Sequence, residues 1–170
     1  IDQLVSLSFY KKIIPRNPDT QDYNVKGIYG MNGSGKSGIV TAVEILKNLL
    51  TNPEYLMNPI AQKNLDAMIN KKLNELYIEI DYMAKTVQEL MLFRYNIRLA
   101  KDVTGKYVIV YESLAKKKAT AKSEIMEKIF EVSDGEFLSL YGLENQNVFS
   151  TLIWNKTMNL LQTSSVSAVF

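Results

Sequence analysis

A chain of 170 residues with 46% hydrophobic content is long enough to bury one core, so one domain or a large part of one is expected. The chain has no cysteine and no histidine, which excludes disulfides, thiolate or imidazole zinc sites and a histidine-based catalytic triad. Its net charge of +2 is too small to indicate a nucleic-acid surface, and without a membrane-length apolar run or a signal peptide we expect a soluble, cytoplasmic protein.

Two strands are predicted at the start of the chain. Residues 3 to 14, "QLVSLSFYKKII", alternate roughly and carry β-branched and aromatic side chains, and the loop "PRNPDTQD" follows them. Val25, Ile28 and Tyr29 then predict a short buried strand that leads into a glycine-rich segment. Because the chain begins with Ile1 and ends on the apolar "SSVSAVF", we expect it to be a fragment.

The glycine-rich segment "GMNGSGKS" matches the P-loop pattern G-x-x-x-x-G-K-S from Gly30 to Ser37. Its glycines allow the backbone to turn so that its N–H groups form a concave nest for an anion, and a helix starting near Lys36 would direct its N-terminus at the same anion. The Lys36 side chain, expected to be exposed at the mouth of the loop, can reach β- and γ-phosphate oxygens, and the Ser37 hydroxyl can ligate Mg²⁺. The predicted nucleotide-binding residues are Gly30, Asn32, Gly33, Ser34, Gly35, Lys36, Ser37 and Gly38. The alternative is a glycine-rich turn between a strand and a helix that holds no ligand.

Two helices are predicted after this segment. Apolar residues recur at helical spacing over residues 36 to 50, at Ile39, Val40, Val43, Leu46, Leu49 and Leu50. This amphipathic helix should end before "TNP". Residues 59 to 74 predict a second helix, with Ile60, Leu65, Met68, Ile69 and Leu73 on one side.

Farther along, the sequence period changes to that of β-strands. Three strands are predicted over residues 76 to 83, 90 to 101 and 106 to 114, the last two joined by "DVTG" in a tight turn, and they should form an antiparallel sheet. Residues 115 to 128 are lysine-rich and predict a solvated helix or a mobile connection, and residues 129 to 140 predict a hairpin around Asp134 and Gly135. The tail over 147 to 161 predicts a helix that packs Phe149, Ile153 and Trp154 inward.

These elements predict an α/β fold in one domain over residues 1 to 170. It should contain a P-loop NTPase core, with a phosphate-binding lobe over residues 1 to 58 and an antiparallel β-rich subdomain over residues 76 to 140.

A nucleotide hydrolase also needs a strand that ends in an aspartate beside Mg²⁺, with a glutamate to orient water. Three apolar stretches are candidates, ending at Asp81, Glu112 and Asn155, and none fits the pattern well. Because alternation in an antiparallel sheet exposes every second residue, Asp81 and Glu112 are predicted to be solvent-facing acids with no catalytic role.

Four other motifs have competing interpretations. "VSDGE" (132 to 136) is faintly similar to an ABC signature loop, but an Asp-Gly hairpin explains it better. "DVTG" fits the D-x-x-G of a GTPase switch, whereas "NKTM" (155 to 158) lacks the aspartate that reads guanine. The run Lys116 to Lys118 is more typical of a solvated face than of a contact to a phosphate backbone.

The stretch "GIYGMNGSGKSGIVTAVEIL" resembles the Walker A region of ABC-type ATPase heads of the SMC, RecF and OLD-nuclease group, in which asparagine commonly precedes the G-S-G-K-S run, as Asn32 does here. The later order is also similar: an aromatic-rich strand "LFRYNIRL", then "E-S-L" from Glu112, then "KIFEVSDGEF". This succession resembles the N-terminal part of stand-alone prokaryotic ATP-binding proteins of AAA type that are linked with abortive infection.

The resemblance implies a head that binds ATP and Mg²⁺ and forms a homodimer in which each ATP site is shared between two subunits. Walker B and signature motifs come late in such heads, and a Q-loop glutamine is expected between the lobes, with Gln62 and Gln88 as candidates. A small P-loop kinase stays as an alternative, although it needs cationic lid residues and only Arg16, Arg94 and Arg98 are present as arginines. A nucleotide-gated interaction module without hydrolysis is the third hypothesis.

Overall fold

A computed structural model describes residues 5 to 7, 28 to 29, 36 to 87, 89 to 141 and 159 to 169. The described chain combines helices with one five-stranded antiparallel sheet, a mixed α/β arrangement. Of the strand predicted over residues 3 to 14, only residues 5 to 7 are described, and they have no strand structure. Outside the described residues lie the rest of that strand, residues 30 to 35 of the P-loop, and Arg16, Gln88 and Trp154.

Two helices precede the sheet. Helix α1 spans Lys36–Thr51, as its apolar periodicity predicted, and a single 3₁₀ turn follows at Tyr55–Met57. Helix α2 spans Pro59–Met68. At its start the Asn58 side chain accepts a hydrogen bond from the Ile60 N–H at 2.8 Å. Pro59 occupies the first helical position, where a residue without an N–H leaves no donor unpaired.

The second helix is shorter than predicted. The expected range ran to residue 74, but the backbone at Ile69 is already extended and residues 71 to 73 form a turn. The Asn70 side chain accepts a hydrogen bond from the Lys72 N–H, and Asn74 adopts a positive φ of 52°. Asparagine favours such local side-chain bonds and tolerates the left-handed region, which explains why the helix stops there.

The sheet is a meander in which each strand pairs with the next. The strands are β1 (Glu75–Lys85), β2 (Leu90–Lys101), β3 (Tyr107–Lys118), β4 (Glu127–Ser133) and β5 (Glu136–Leu140), in the spatial order of the sequence. The three predicted strands and the predicted hairpin are thereby confirmed. The helix considered for residues 115 to 128 is wrong, because residues 115 to 118 continue β3 and residues 121 to 126 have no regular structure.

Both predicted tight turns are present. Asp102 accepts hydrogen bonds from the N–H groups of Thr104 and Lys106, and Gly105 provides the positive φ of 81° that the loop between β2 and β3 requires. Asp134 and Gly135 both have positive φ, 49° and 85°, which is the geometry of a two-residue hairpin turn. The hairpin interpretation of "VSDGE" is therefore confirmed.

The buried strand expected just before the P-loop is not observed at its two described positions. Residues 28 and 29 have no strand structure, and the Tyr29 side chain is 94% exposed. Val25 lies outside the described residues. A strand needs a hydrogen-bonded neighbour, and the five described strands pair only with each other.

A β-bulge changes which side chains of β3 face the core. Arg98 pairs with Tyr111 and Leu99 pairs with Ile109, so Val110 is an extra residue on β3. One extra residue reverses the alternation of every side chain beyond it. Before the bulge the odd-numbered Ile109 is buried, and after it the even-numbered Glu112 is buried.

Helices and the end of the described chain cover one face of the sheet and share a single core with it. The core cluster contains Ile45, Leu46, Leu49, Leu56, Leu65, Ile69, Tyr95, Ile97, Leu99, Tyr107, Ile109, Ile129, Phe130, Val132, Leu161 and Val166. Two short helices, α3 (Asn159–Thr163) and α4 (Val166–Val169), supply its last two members. None of the described helices is long and apolar enough to cross a membrane.

Candidate functional site

The first turn of α1 is the described part of the predicted nucleotide site. Lys36, Ser37 and Gly38 are the first three described residues of the helix and lie toward its N-terminal, positively polarised end. The Ser37 side chain is exposed, whereas Lys36 is half-buried rather than exposed as expected. Gly30, Asn32, Gly33, Ser34 and Gly35 lie outside the described residues.

The two halves of α1 have different surroundings. In its C-terminal half, Ile45, Leu46 and Leu49 are buried in the core and fix the helix against the sheet. In its N-terminal half, Val40 and Val43 are exposed among the described residues, although their spacing predicted a continuous apolar face. The first turn carries no acidic side chain, so no carboxylate of the helix itself competes there for the backbone N–H groups.

Asp81 faces solvent, as predicted. It lies on β1, on the sheet face opposite the core, and pairs across the strands with Arg94 of β2. Arg94 donates two hydrogen bonds to the two carboxylate oxygens of Asp81, each 2.8 Å long, and its Nε is 3.7 Å from Glu79. This fork-to-fork contact engages both oxygens of Asp81 and explains why the residue belongs to the surface of the sheet.

Glu112 contradicts the prediction of a solvent-facing acid. Its side chain is fully buried because the bulge at Val110 turns it from the outer face to the core. Oε1 accepts a hydrogen bond from the Tyr95 hydroxyl at 2.8 Å, and Oε2 accepts one from the Val166 N–H at 2.9 Å. Burial raises the pKa of Glu112 from 4.5 to about 7, although hydrogen bonds from Val166, Tyr95 and Ser167 oppose the shift.

Gln62, a candidate for the Q-loop glutamine, uses its side-chain amide for hydrogen bonds to the backbone of the protein. Its amide nitrogen donates to the carbonyl oxygens of Leu56 at 2.7 Å and of Tyr107 at 2.9 Å, and its amide oxygen accepts from the Tyr107 N–H at 2.8 Å. These bonds join α2 to the start of β3. The side chain therefore fixes a helix to the sheet, and the other candidate, Gln88, lies outside the described residues.

The lysine run is paired within the chain. Lys118 lies 3.0 Å from Glu89, Lys116 lies 3.9 Å from Glu127, and Lys117 donates to the Ser123 carbonyl oxygen. These contacts agree with a solvated strand end. Among the residues that the structure describes, no group of three or more acidic side chains is arranged to hold a metal ion.

Comparison of this chain with protein-family models, with curated proteins and with solved structures gave no match. The candidate site therefore depends on its sequence pattern and on the geometry of α1.

Proposed function

We propose that the chain is a nucleotide-binding head of ABC and SMC type, with a P-loop NTPase core, that binds ATP with Mg²⁺ through the segment from Gly30 to Gly38. The observation that carries the proposal is that Lys36 and Ser37 of the motif lie on helix α1, in the described residues that directly follow the glycine-rich stretch. A P-loop requires a helix to begin at its lysine, because the first N–H groups of that helix complete the phosphate cradle. The absence of an acid in the first turn of α1 agrees with an anionic ligand.

The residues of the first turn have distinct proposed roles. Lys36 supplies a full positive charge to the β- and γ-phosphate oxygens, and the exposed hydroxyl of Ser37 supplies one oxygen ligand to Mg²⁺. This donor suits Mg²⁺, which in nucleotide sites takes most of its ligands from water and phosphate. When bound, the metal ion neutralises the charge of the phosphates.

The proposal predicts a dependence on the number of phosphates. ATP and ADP with Mg²⁺ should bind the unmodified chain, and AMP should not, because the loop and Lys36 hold the β-phosphate. Isothermal titration calorimetry with the three nucleotides measures the difference. Equal binding of all three nucleotides, or binding of none to a chain whose circular dichroism shows it to be folded, would contradict the proposal.

Binding without turnover is favoured for the chain by itself. Both oxygens of Asp81 are engaged by Arg94, and Glu112 is buried beneath the residues near Val166, so neither acid is open to a metal-bound nucleotide. The engagement of Arg94 also argues against a kinase lid built on that arginine. Hydrolysis by a homodimer with shared sites, aided by a second head, belongs to this proposal as the activity of a longer chain.

We therefore expect the 170-residue chain to bind ATP and to release phosphate hardly faster than its Lys36→Ala variant. Among the described residues no acid is positioned as a base for water, and in the isolated chain the γ-phosphate has no second head to stabilise developing charge. A phosphate-release assay on both proteins tests this. Vigorous turnover that is lost in the variant and is linear in protein concentration would instead indicate a self-sufficient P-loop enzyme.

A further inference from the structure

The last described residues, 159 to 169, are attached to the rest of the chain by contacts that are distant in sequence. We call them the C-terminal segment. Ser165 Oγ donates to the Leu49 carbonyl oxygen at 2.6 Å, and Ser164 Oγ donates to that of Pro53, so the segment is held to the end of α1 and the residues after it. The Val166 N–H donates to Glu112 on β3. Leu161 and Val166 complete the contact by entering the core.

Glu112 and Tyr95 are the ionisable side chains that meet the buried part of this contact, while Tyr55 of the 3₁₀ turn and Asp134, whose carbonyl oxygen accepts from Gln162, lie beside the segment. The C-terminal segment contains no ionisable side chain, and the cross-strand neighbours of Glu112 on the core face are Ile97 and Val132. Tyr95 approaches from β2, and burial raises its pKa well above its usual range, so its hydroxyl stays protonated and donates to Glu112.

Other charged groups lie farther away. Tyr82 of β1 acts on Tyr95, and Glu44 and Lys47 of α1 are exposed. No lysine or arginine within the described ranges lies at ion-pair distance from Glu112. Within that part of the chain, the carboxylate is therefore balanced by hydrogen bonds alone.

The position of Glu112 couples its charge to the placement of the C-terminal segment. When the segment is docked, it covers the carboxyl group and supplies two of its donors, the N–H groups of Val166 and Ser167. When the segment leaves, water reaches the carboxyl group and solvates its charged form. Docking therefore removes hydration from a charge if Glu112 is ionised, and from a neutral acid if Glu112 is protonated.

We propose that Glu112 is a proton-dependent latch for the C-terminal segment, which docks more firmly when this carboxyl group carries a proton. This device is independent of the proposed nucleotide site. The direction of the pH dependence follows from linkage, because the docked state binds the proton more tightly than the undocked state. The extra stability of the docked state is therefore complete below the ordinary pKa of glutamate and is lost as the pH rises through about 7. Above that pH the strength of docking should become constant.

A cysteine at position 166 reports on undocking, because the chain has no other thiol and Val166 is buried. The Val166→Cys change keeps the backbone N–H that Glu112 accepts. The rate of thiol labelling is measured from about pH 5.5 to about pH 8 in this background, with and without Glu112→Gln. The ratio of the two rates at each pH cancels the intrinsic ionisation of the thiol. Glutamine has nearly the same shape as glutamate and carries no charge.

The labelling rate of the protein that retains Glu112 is divided by the rate of the protein that also carries Glu112→Gln. This ratio should rise by roughly 10-fold to 30-fold between the two ends of this range. The ratio should level off above neutral pH. The matched control is Glu136→Gln, which neutralises an exposed glutamate of β5 and should leave the parent's profile unchanged. A ratio that is constant with pH, or that falls as the pH rises, overturns the latch.

A second variant provides a test of the proposal that does not depend on the folding of Glu112→Gln. Tyr95→Phe removes one hydrogen-bond donor to the carboxylate but keeps the aromatic ring in the core. The charged form of Glu112 then loses support, so the rise in labelling should move to higher pH relative to the parent. An unchanged midpoint in Tyr95→Phe, measured in the same Val166→Cys background, also counts against the proposal.

Discussion

Replacing Lys36 by alanine should weaken the binding of ATP with Mg²⁺ by roughly 10-fold to 100-fold, the effect of losing a charge-assisted hydrogen bond to phosphate. Lys36 lies on α1 and, in the proposed site from Gly30 to Gly38, is the only side chain that brings a full positive charge to the phosphates. Isothermal titration calorimetry on the parent chain and on the variant measures the change. The far-ultraviolet circular dichroism of the two proteins should be the same.

The control for this experiment is Lys47→Ala. Lys47 is an exposed lysine of the same helix, in its C-terminal half, so its removal changes the net charge equally and leaves the first turn intact. It should bind ATP as the parent does. If the two variants lose the same affinity, the nucleotide is attracted by overall charge and the assignment of the phosphate site to the first turn of α1 is wrong.

Replacing Leu65 by alanine should lower the free energy of unfolding by about 2 to 5 kcal/mol. Leu65 is fully buried on α2 and belongs to the core that the helices share with the sheet, so its truncation removes apolar burial and leaves a cavity. That loss is a large share of the stability that a domain of this size has. Urea denaturation followed by circular dichroism provides the measurement.

Met68→Ala is the matched change on the same helix. Met68 lies three residues farther along α2 and is 51% exposed, so its truncation should cost less than about 1 kcal/mol. A similar loss of stability in both variants would show that helix formation, and not packing of α2 on the sheet, governs the response. A loss confined to Leu65→Ala agrees with one shared core.

Local sequence patterns were sufficient to predict most of the described elements. Three elements follow from short-range signals, namely helical periodicity, β-branched and aromatic content, and turn residues. They are the helix α1, the strand β2 over residues 90 to 101, and the hairpin at Asp134 and Gly135. The residues 115 to 118 were harder to predict. Three of them are lysines, which are good helix formers in isolation, but here their strand is held by pairing with both β2 and β4.

The burial of Glu112 could not be predicted from alternation. Its orientation depends on the single extra residue at Val110, and its shielding depends on Val166, which is 54 residues away in sequence. Neither a bulge nor a contact over that distance can be recognised from the local sequence pattern. For the candidate site, the sequence motif supplied all the predicted residues, and the structure adds that Lys36 and Ser37 lie on a helix, the first half-buried and the second exposed.

The meander has a consequence for the order in which the chain folds. Each described strand pairs with its neighbour in sequence, so every pairing closes a short loop, and local contacts of this kind form early. The bond from Ser165 to Leu49 instead spans 116 residues. During synthesis from the N-terminus, the sheet can assemble while the residues that will cover Glu112 have not yet been made. A nascent chain at that stage has one edge of its core open to water, and this is the stage at which it is most exposed to aggregation.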